Sequence, residues 1–180
     1  VTNTTANNNT AVGHLALRAN TTGTQNTAVG SLAGDAITTG VNNCAMGYGA
    51  LGANTTGSYN IAMGVGALGT NTAGDTNVAI GNNAGVYVTG DNNTAVGTNS
   101  LSNVTSGGNN TGLGKYAIAS SATADNEITL GDGNITSLRC ADTSISSLSD
   151  RRDKKNITDL SEGIDFINKL RPVKFEWDTR

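Results

Sequence analysis

The stretch Asn9-Thr10-Ala11-Val12-Gly13, NTAVG, decides the fold because it keeps coming back. It returns at 26–30, as NCAMG at 43–47, NIAMG at 60–64, NVAIG at 77–81, NTAVG at 93–97 and NTGLG at 110–114, and has drifted to EITLG at 127–131. The closing glycines stand at 13, 30, 47, 64, 81, 97, 114 and 131, spaced by 17 residues six times and by 16 once. A fixed period of this length marks stacked repeats, and terminal repeats are the ones expected to diverge.

Each period carries further markers. A small residue follows the closing glycine by three: Ala16, Ala33, Ala50, Ala67, Ala84, Ser100, Ala117. One place further on comes Leu17, Leu51, Leu68, Leu101 or Ile118, with Gly34 and Gly85 as exceptions. A second glycine comes at Gly23, Gly40, Gly57, Gly74 and Gly107, and Gly90 arrives one residue early in the shortened period. Two glycines in 17 residues would break every helix. Asn-Thr-Thr-Gly reads as turn chemistry, since Asn and Gly tolerate positive φ. The alternation within NTAVG fits the period-two geometry of a strand. Each unit is therefore expected to hold two short strands and two turns. Seven or so such units stack into an all-β fold, a 17-residue-repeat parallel β-solenoid or β-roll, ahead of a short α+β C-terminal segment.

Composition agrees. Gly supplies 24 of 180 residues, Pro one, and aromatics are 4%. The apolar content is mostly Ala, so the core must be thin, which suits coils whose turns cover one another. A net charge of −3 provides no footprint for nucleic acid. No run of 18 apolar residues occurs, so membrane insertion is not expected, nor is a signal peptide at the N-terminus. A chain opening on Val1 reads as a fragment of something longer. Cys44 and Cys140 read as small buried hydrophobes at repeat positions, not as a disulfide framework. No cofactor and no metal site is expected. A coil this lean exposes apolar surface when alone, and three copies wound about one axis would cover it.

Three features inside the repeats could bear chemistry. Asp75, Asp91 and Asp125 share one register after the second turn, and stacked carboxylates could hold a cation or a sugar. A solvated turn carboxylate is the preferred reading, because most turns lack an acid there. A Thr ladder for ice binding would need regularity, yet the row Thr10, Thr27, Cys44, Ile61, Val78, Thr94, Thr111 is interrupted in its middle three turns. GDGN at 131–134 lacks the spaced acids and closing Glu of a calcium loop. His14 is the only histidine and has no evident partner, and sequons such as Asn20-Thr21-Thr22 arise from composition.

Character changes at SSLSDRRDKKNI, 146–157. The six residues from Asp150 to Lys155 are all charged, after 149 residues that hold ten charges. Residues 150–180 also contain both Phe, the only Trp and the only Pro. Ile164, Ile167 and Leu170 recur at helical spacing behind a Ser161 N-cap, with Phe166 beside them. Arg171-Pro172 ends that helix, and VKFEW at 173–177 alternates like a strand. The segments are thus a repetitive β shaft over 1–131, a junction over 132–149, and the opening of a conventional domain over 150–180.

The repeats resemble the β-roll heads of trimeric bacterial surface adhesins, and more closely the NTAVG-type shafts of phage tail fibres. Ser149, Asp150, Arg152, Lys154, Asn156 and Ile157, with GIDFINKLRPVKFEW after them, resemble the opening of the intramolecular chaperone auto-processing domain of phage tail spikes and fibres, endosialidases among them. The resemblance implies a homotrimer located in the virion tail, outside the cell at the host surface. Its implied partners are other tail or baseplate proteins and a glycan or protein receptor. It implies that the domain trimerises the chain, guides its folding and then cuts itself off at the junction Leu148-Ser149-Asp150. Ser149 would be the nucleophile and Lys154 its base, a single-turnover protease at most. A lysine can serve as base where burial or neighbouring cations keep it neutral. Whether the cut precedes or follows Ser149 stays open. The present sequence holds only the beginning of that domain. An adhesin head would instead call for a coiled-coil stalk and a membrane barrel after Arg180. A polysaccharide-degrading spike would place its catalytic domain elsewhere and use this segment as a stem.

Overall fold

The computed structural model describes residues 5–139. It consists of eight three-residue strands: β1 (Thr10–Val12), β2 (Thr27–Val29), β3 (Cys44–Met46), β4 (Ile61–Met63), β5 (Val78–Ile80), β6 (Thr94–Val96), β7 (Thr111–Leu113) and β8 (Ile128–Leu130). They form one parallel sheet in chain order, so each turn of the coil pairs with the next. Equivalent residues face one another: Thr10 pairs with Thr27, Ala11 with Ala28 and Val12 with Val29. The short period leaves this register intact, with Val78 opposite Thr94 and Ile80 opposite Val96. Its missing residue is taken out of the second turn, at Thr89–Gly90, where both N–H groups donate to Thr105 O. The chain is a β-solenoid of about seven turns, and no helix occurs among the described residues.

The expected second strand of each repeat is absent among the described residues. Past the closing glycine the backbone alternates between left- and right-handed conformations, with φ of 59° at Leu15 and 50° at Leu17. That alternation folds the segment into tight bends. N–H groups go by turns to the neighbouring coil and to the residue three back. Leu17 donates to Ala33 O at 3.1 Å, whereas Ala16 donates to Gly13 O and Asn20 to Leu17 O.

A left-handed conformation costs an L-residue about 1–2 kcal/mol. Leu51, at φ 50°, is fully buried. Burying a leucine returns about 1.5–3 kcal/mol, so packing wins over strain.

The core is as thin as composition requires. One column is the middle residue of the strands, Ala28, Ala45, Ala62, Ala79 and Ala95, and a second is Ala33, Ala50, Ala67 and Ala84, all at most 2% exposed. Leu51, Leu68 and Leu101 fill a third column. Where that column holds Gly34 or Gly85, the residue three further on is Ile37 or Val88, and its branched side chain occupies the vacated space. Ile118, expected in the same column, is exposed, and its backbone lacks the positive φ of Leu17, Leu51, Leu68 and Leu101.

The asparagine that opens each repeat builds a ladder, half-buried at Asn9 and buried from Asn26 to Asn110. Its Oδ1 accepts the backbone N–H of the next turn's asparagine, and its Nδ2 donates to a carbonyl of the second turn. Asn60 shows the unit: Oδ1 accepts from Asn77 N–H at 2.9 Å, Nδ2 donates to Gly74 O at 2.8 Å, and Asn60 N–H donates to Asn43 Oδ1 at 3.0 Å. The pattern runs from Asn9 to Asn110 and ends where Glu127 N–H donates to Asn110 Oδ1. A buried amide with both ends engaged gives each coil a fixed seat on the next.

The closing glycines sit where only glycine fits. Gly30 has φ +139°, and a Cβ there would come within 2.6 Å of Gly47 O. The second-turn glycines are needed for a different reason from the one expected. Gly57 is not left-handed, but a Cβ on it would meet Gly74 O at 2.5 Å. Positive φ in this turn falls two residues later, at Tyr59 (φ 60°) and its equivalents.

Candidate functional site

The Asp column lies exposed on the coil, and each carboxylate reaches back one turn to a backbone N–H. Asp75 Oδ1 accepts from Ser58 N–H at 2.7 Å, Asp91 Oδ1 from Asp75 N–H at 2.8 Å, and Asp125 Oδ1 from Gly108 N–H at 2.7 Å. Ser58 Oγ plays the same part for Val41 N–H at 3.1 Å. The column is thus a row of side-chain acceptors that continues hydrogen bonding where strand pairing stops. That geometry supports the turn reading. Among the described residues, no group of three or more His, Cys, Asp or Glu side chains converges on a point.

The C-terminal end of the coil is more polar. Glu127 stands where an asparagine would continue the ladder. Its carboxylate accepts from Ser120 Oγ at 2.6 Å and Ser120 N–H at 2.9 Å. These bonds, the hydroxyl first, hold its pKa below the ordinary value. In the GDGN turn, Asp132 accepts from Asn134 N–H and Nδ2, each at 3.0 Å, and its pKa is likewise lowered, with Lys115 adding attraction. The turn closes on itself, which removes the faint likeness to a calcium loop. Tyr116, Ile118, Thr129, Leu130, Asp132 and Asn134 line a hollow of about 510 Å³ beside it.

Other expected positions resolve simply. His14 is exposed. Cys44 is only half-buried, contrary to expectation, because it opens β3 on the outward side of the strand. Asn20 is 2% exposed and donates to Gly23 O at 3.0 Å, so its sequon is sealed inside the coil.

The least expected surface is the outer face of the sheet. All eight strands end in an aliphatic residue: Val12, Val29, Met46, Met63, Ile80, Val96, Leu113 and Leu130. In β2–β6 the side chains flanking the buried alanine point outward, and the strand-closing residues of all eight strands are half-buried or exposed, up to 56% at Val12. Sheets with one solvated face normally alternate apolar inward and polar outward. The signal was present in the sequence, in the invariable apolar residue before each closing glycine.

The junction residues Leu148, Ser149, Asp150 and Lys154 lie outside the described residues, as do Cys140, the helix expected over 161–170 and the strand expected over 173–177. Sequence comparison supplies what is known of them. Residues 149–180 match the family model described as chaperone of endosialidase. The match opens on Ser149, the residue just ahead of the charged block, and does not extend into the repeats. No curated protein and no solved structure matches the chain.

Proposed function

We propose that the chain is a segment of a three-chain phage tail fibre or tail spike that attaches to a host surface and is matured by one self-cleavage at Ser149. The observation that carries this reading is the chaperone-of-endosialidase match beginning at Ser149, directly after a coil of stacked parallel turns. Such a coil needs help to assemble. Adjacent turns present the same groups to their neighbours, as in the pairing of Ala45 with Ala62 and Ala62 with Ala79. Copies displaced by one turn would therefore mate almost as well as copies in register, and parallel non-local pairing is slow. A C-terminal domain that trimerises first sets the alignment. Its later loss leaves a shaft kept together by slow unfolding.

In the cleavage step the Ser149 hydroxyl attacks the carbonyl carbon of the bond to be cut while a neutral Lys154 amine takes its proton. The amide C–N bond breaks as the Lys154 ammonium returns the proton to the departing amine, leaving an ester, and water then hydrolyses that ester to a carboxylic acid and restores the Ser149 hydroxyl. The reaction happens once per chain. The shaft remains in the virion, joined to other tail or baseplate proteins, with a glycan or protein receptor as its target.

The test is expression of the complete coding sequence. The expected product is an SDS-resistant trimer whose chains end near Ser149, with Ser149→Ala and Lys154→Ala each remaining full-length. Normal processing of both variants would remove the dyad. A monomeric product would remove the fibre.

A further inference from the structure

We propose that the outer face of β3–β5 is a register key, through which copies of this chain pack against one another with equivalent turns level. This rests on the three-chain reading above and adds the surface and the alignment.

The face is graded along the coil. The outward residue opening each strand is threonine in β1, β2, β6 and β7, but Cys44, Ile61 and Val78 in β3, β4 and β5, and Ile128 in the terminal β8. The position just after the closing glycine changes over nearly the same turns. It is His14 and Ser31 early, then Tyr48 and Val65, then Asn82 and Thr98. Tyr48 is 58% exposed and Val65 47%, beside Ile61 at 39% and Met63 at 37%. An apolar centre bounded by hydroxyl and amide groups is the anatomy of an interface. The interruption of the threonine row is thus its functional part.

Size points the same way. Eight strands at a spacing of about 4.8 Å make a row about 34 Å long. Three outward positions across give a face on the order of 500 Å², with an aliphatic residue closing every strand and a run of apolar strand-opening residues in β3–β5.

A second copy is the occupant that fits. A partner must offer an apolar row with the same rise per turn, over the same length, with its most apolar part in the middle. A parallel copy of this coil has that surface. The strand-opening and strand-closing positions carry no Asp, Glu, Lys or Arg in any of the eight strands, and the charges of the third row, Lys115 and Asp132, lie beyond β3–β5. Only the level alignment sets all three apolar strands of one copy against those of another. A slip of one turn sets Cys44 against a threonine at one end of the patch and Val78 against a threonine at the other.

The test uses the full chain with Cys44→Thr and Cys140→Ser, probed with a short bismaleimide. Met63→Cys should cross-link between copies, while Thr56→Cys, an exposed second-turn position, should not. Co-expressed Met63→Cys and Met46→Cys chains of different mass should join only at like positions. Replacing Ile61 and Val78 by Thr as well, the residue already used in β1, β2, β6 and β7, should retain the trimer mass while cross-links between 46 and 63 appear. A trimer that cross-links at Thr56→Cys but not at Met63→Cys overturns this face and leaves the three-chain reading intact. Persistence of like-position cross-links alone in the all-threonine variant overturns the key. A monomer mass by light scattering overturns both.

Discussion

Asn60→Ala tests whether the asparagine ladder holds the coil together. Asn60 is fully buried. Truncation deletes the acceptor of Asn77 N–H (2.9 Å), the contact with Asn77 Nδ2 (3.2 Å) and the donor to Gly74 O (2.8 Å). A buried group left without its partner costs about 1–3 kcal/mol. One backbone group, Asn77 N–H, is orphaned, whereas Gly74 O keeps Asn71 Nδ2 at 3.2 Å, and the Asn77 amide loses one of its contacts. With a small cavity added, the sum is about 2–4 kcal/mol. Asn9→Ala is the internal control. Asn9 makes the corresponding bonds, to Asn26 N–H and Gly23 O, but is only half-buried at the end of the ladder. Water can replace its partners, and about 1–2 kcal/mol is expected. The assay is urea unfolding followed by far-ultraviolet circular dichroism, at matched protein concentration because association shifts apparent stability. A loss below about 1 kcal/mol at Asn60, or one no larger than at Asn9, would refute the ladder as a main source of stability.

Gly47→Ala should cost more than about 3 kcal/mol or prevent folding, because φ is +132° and the new Cβ would lie 2.6 Å from Gly64 O, whereas Gly133→Ala, with open space around it, should shift the thermal midpoint little. Gly34→Leu alone should destabilise, since even a Cβ there lies 2.9 Å from Ile37 Cδ1, but Gly34→Leu with Ile37→Asn recreates the Leu51/Asn54 pair and should recover most of the loss in a double-mutant cycle. Glu127 titrates below the ordinary 4.5, so its stabilising bonds are complete above that pH and are lost as pH falls through the lower folded value. Hydrogen exchange at the Ser120 amide should quicken over that acid range relative to pH-matched Glu127→Gln, and identical profiles would remove the carboxylate's part.

Much of the coil was legible because its constraints are periodic. The glycine spacing disclosed the turn length, and the alternating Asn-Thr-Ala-Val disclosed strand faces, with the alanine inward. The absent second strand was not legible, since its bends depend on leucines held at positive φ by burial, which composition does not reveal. Nor was the role of the second glycine, whose constraint comes from a carbonyl one turn away. The role of the opening asparagine was not legible either, because a strand pattern does not tell which way its first side chain turns. Only the stacking of Asn43, Asn60 and Asn77 shows that its amide faces inward. For the candidate site, the Ser149 seam was legible from composition and motif, and the family match begins at the same residue. The outer apolar row was written in every repeat, but its meaning depends on seeing which neighbours leave it uncovered.

The short period, absorbed at Thr89–Gly90 without disturbing the pairing of β5 with β6, has a genetic corollary. Unequal recombination between near-identical codons would add or remove whole coils, each inserting cleanly between its neighbours. Reach becomes adjustable in increments of about 4.8 Å. Duplications outside β3–β5 would lengthen the coil while sparing the outward apolar run of Cys44, Ile61 and Val78.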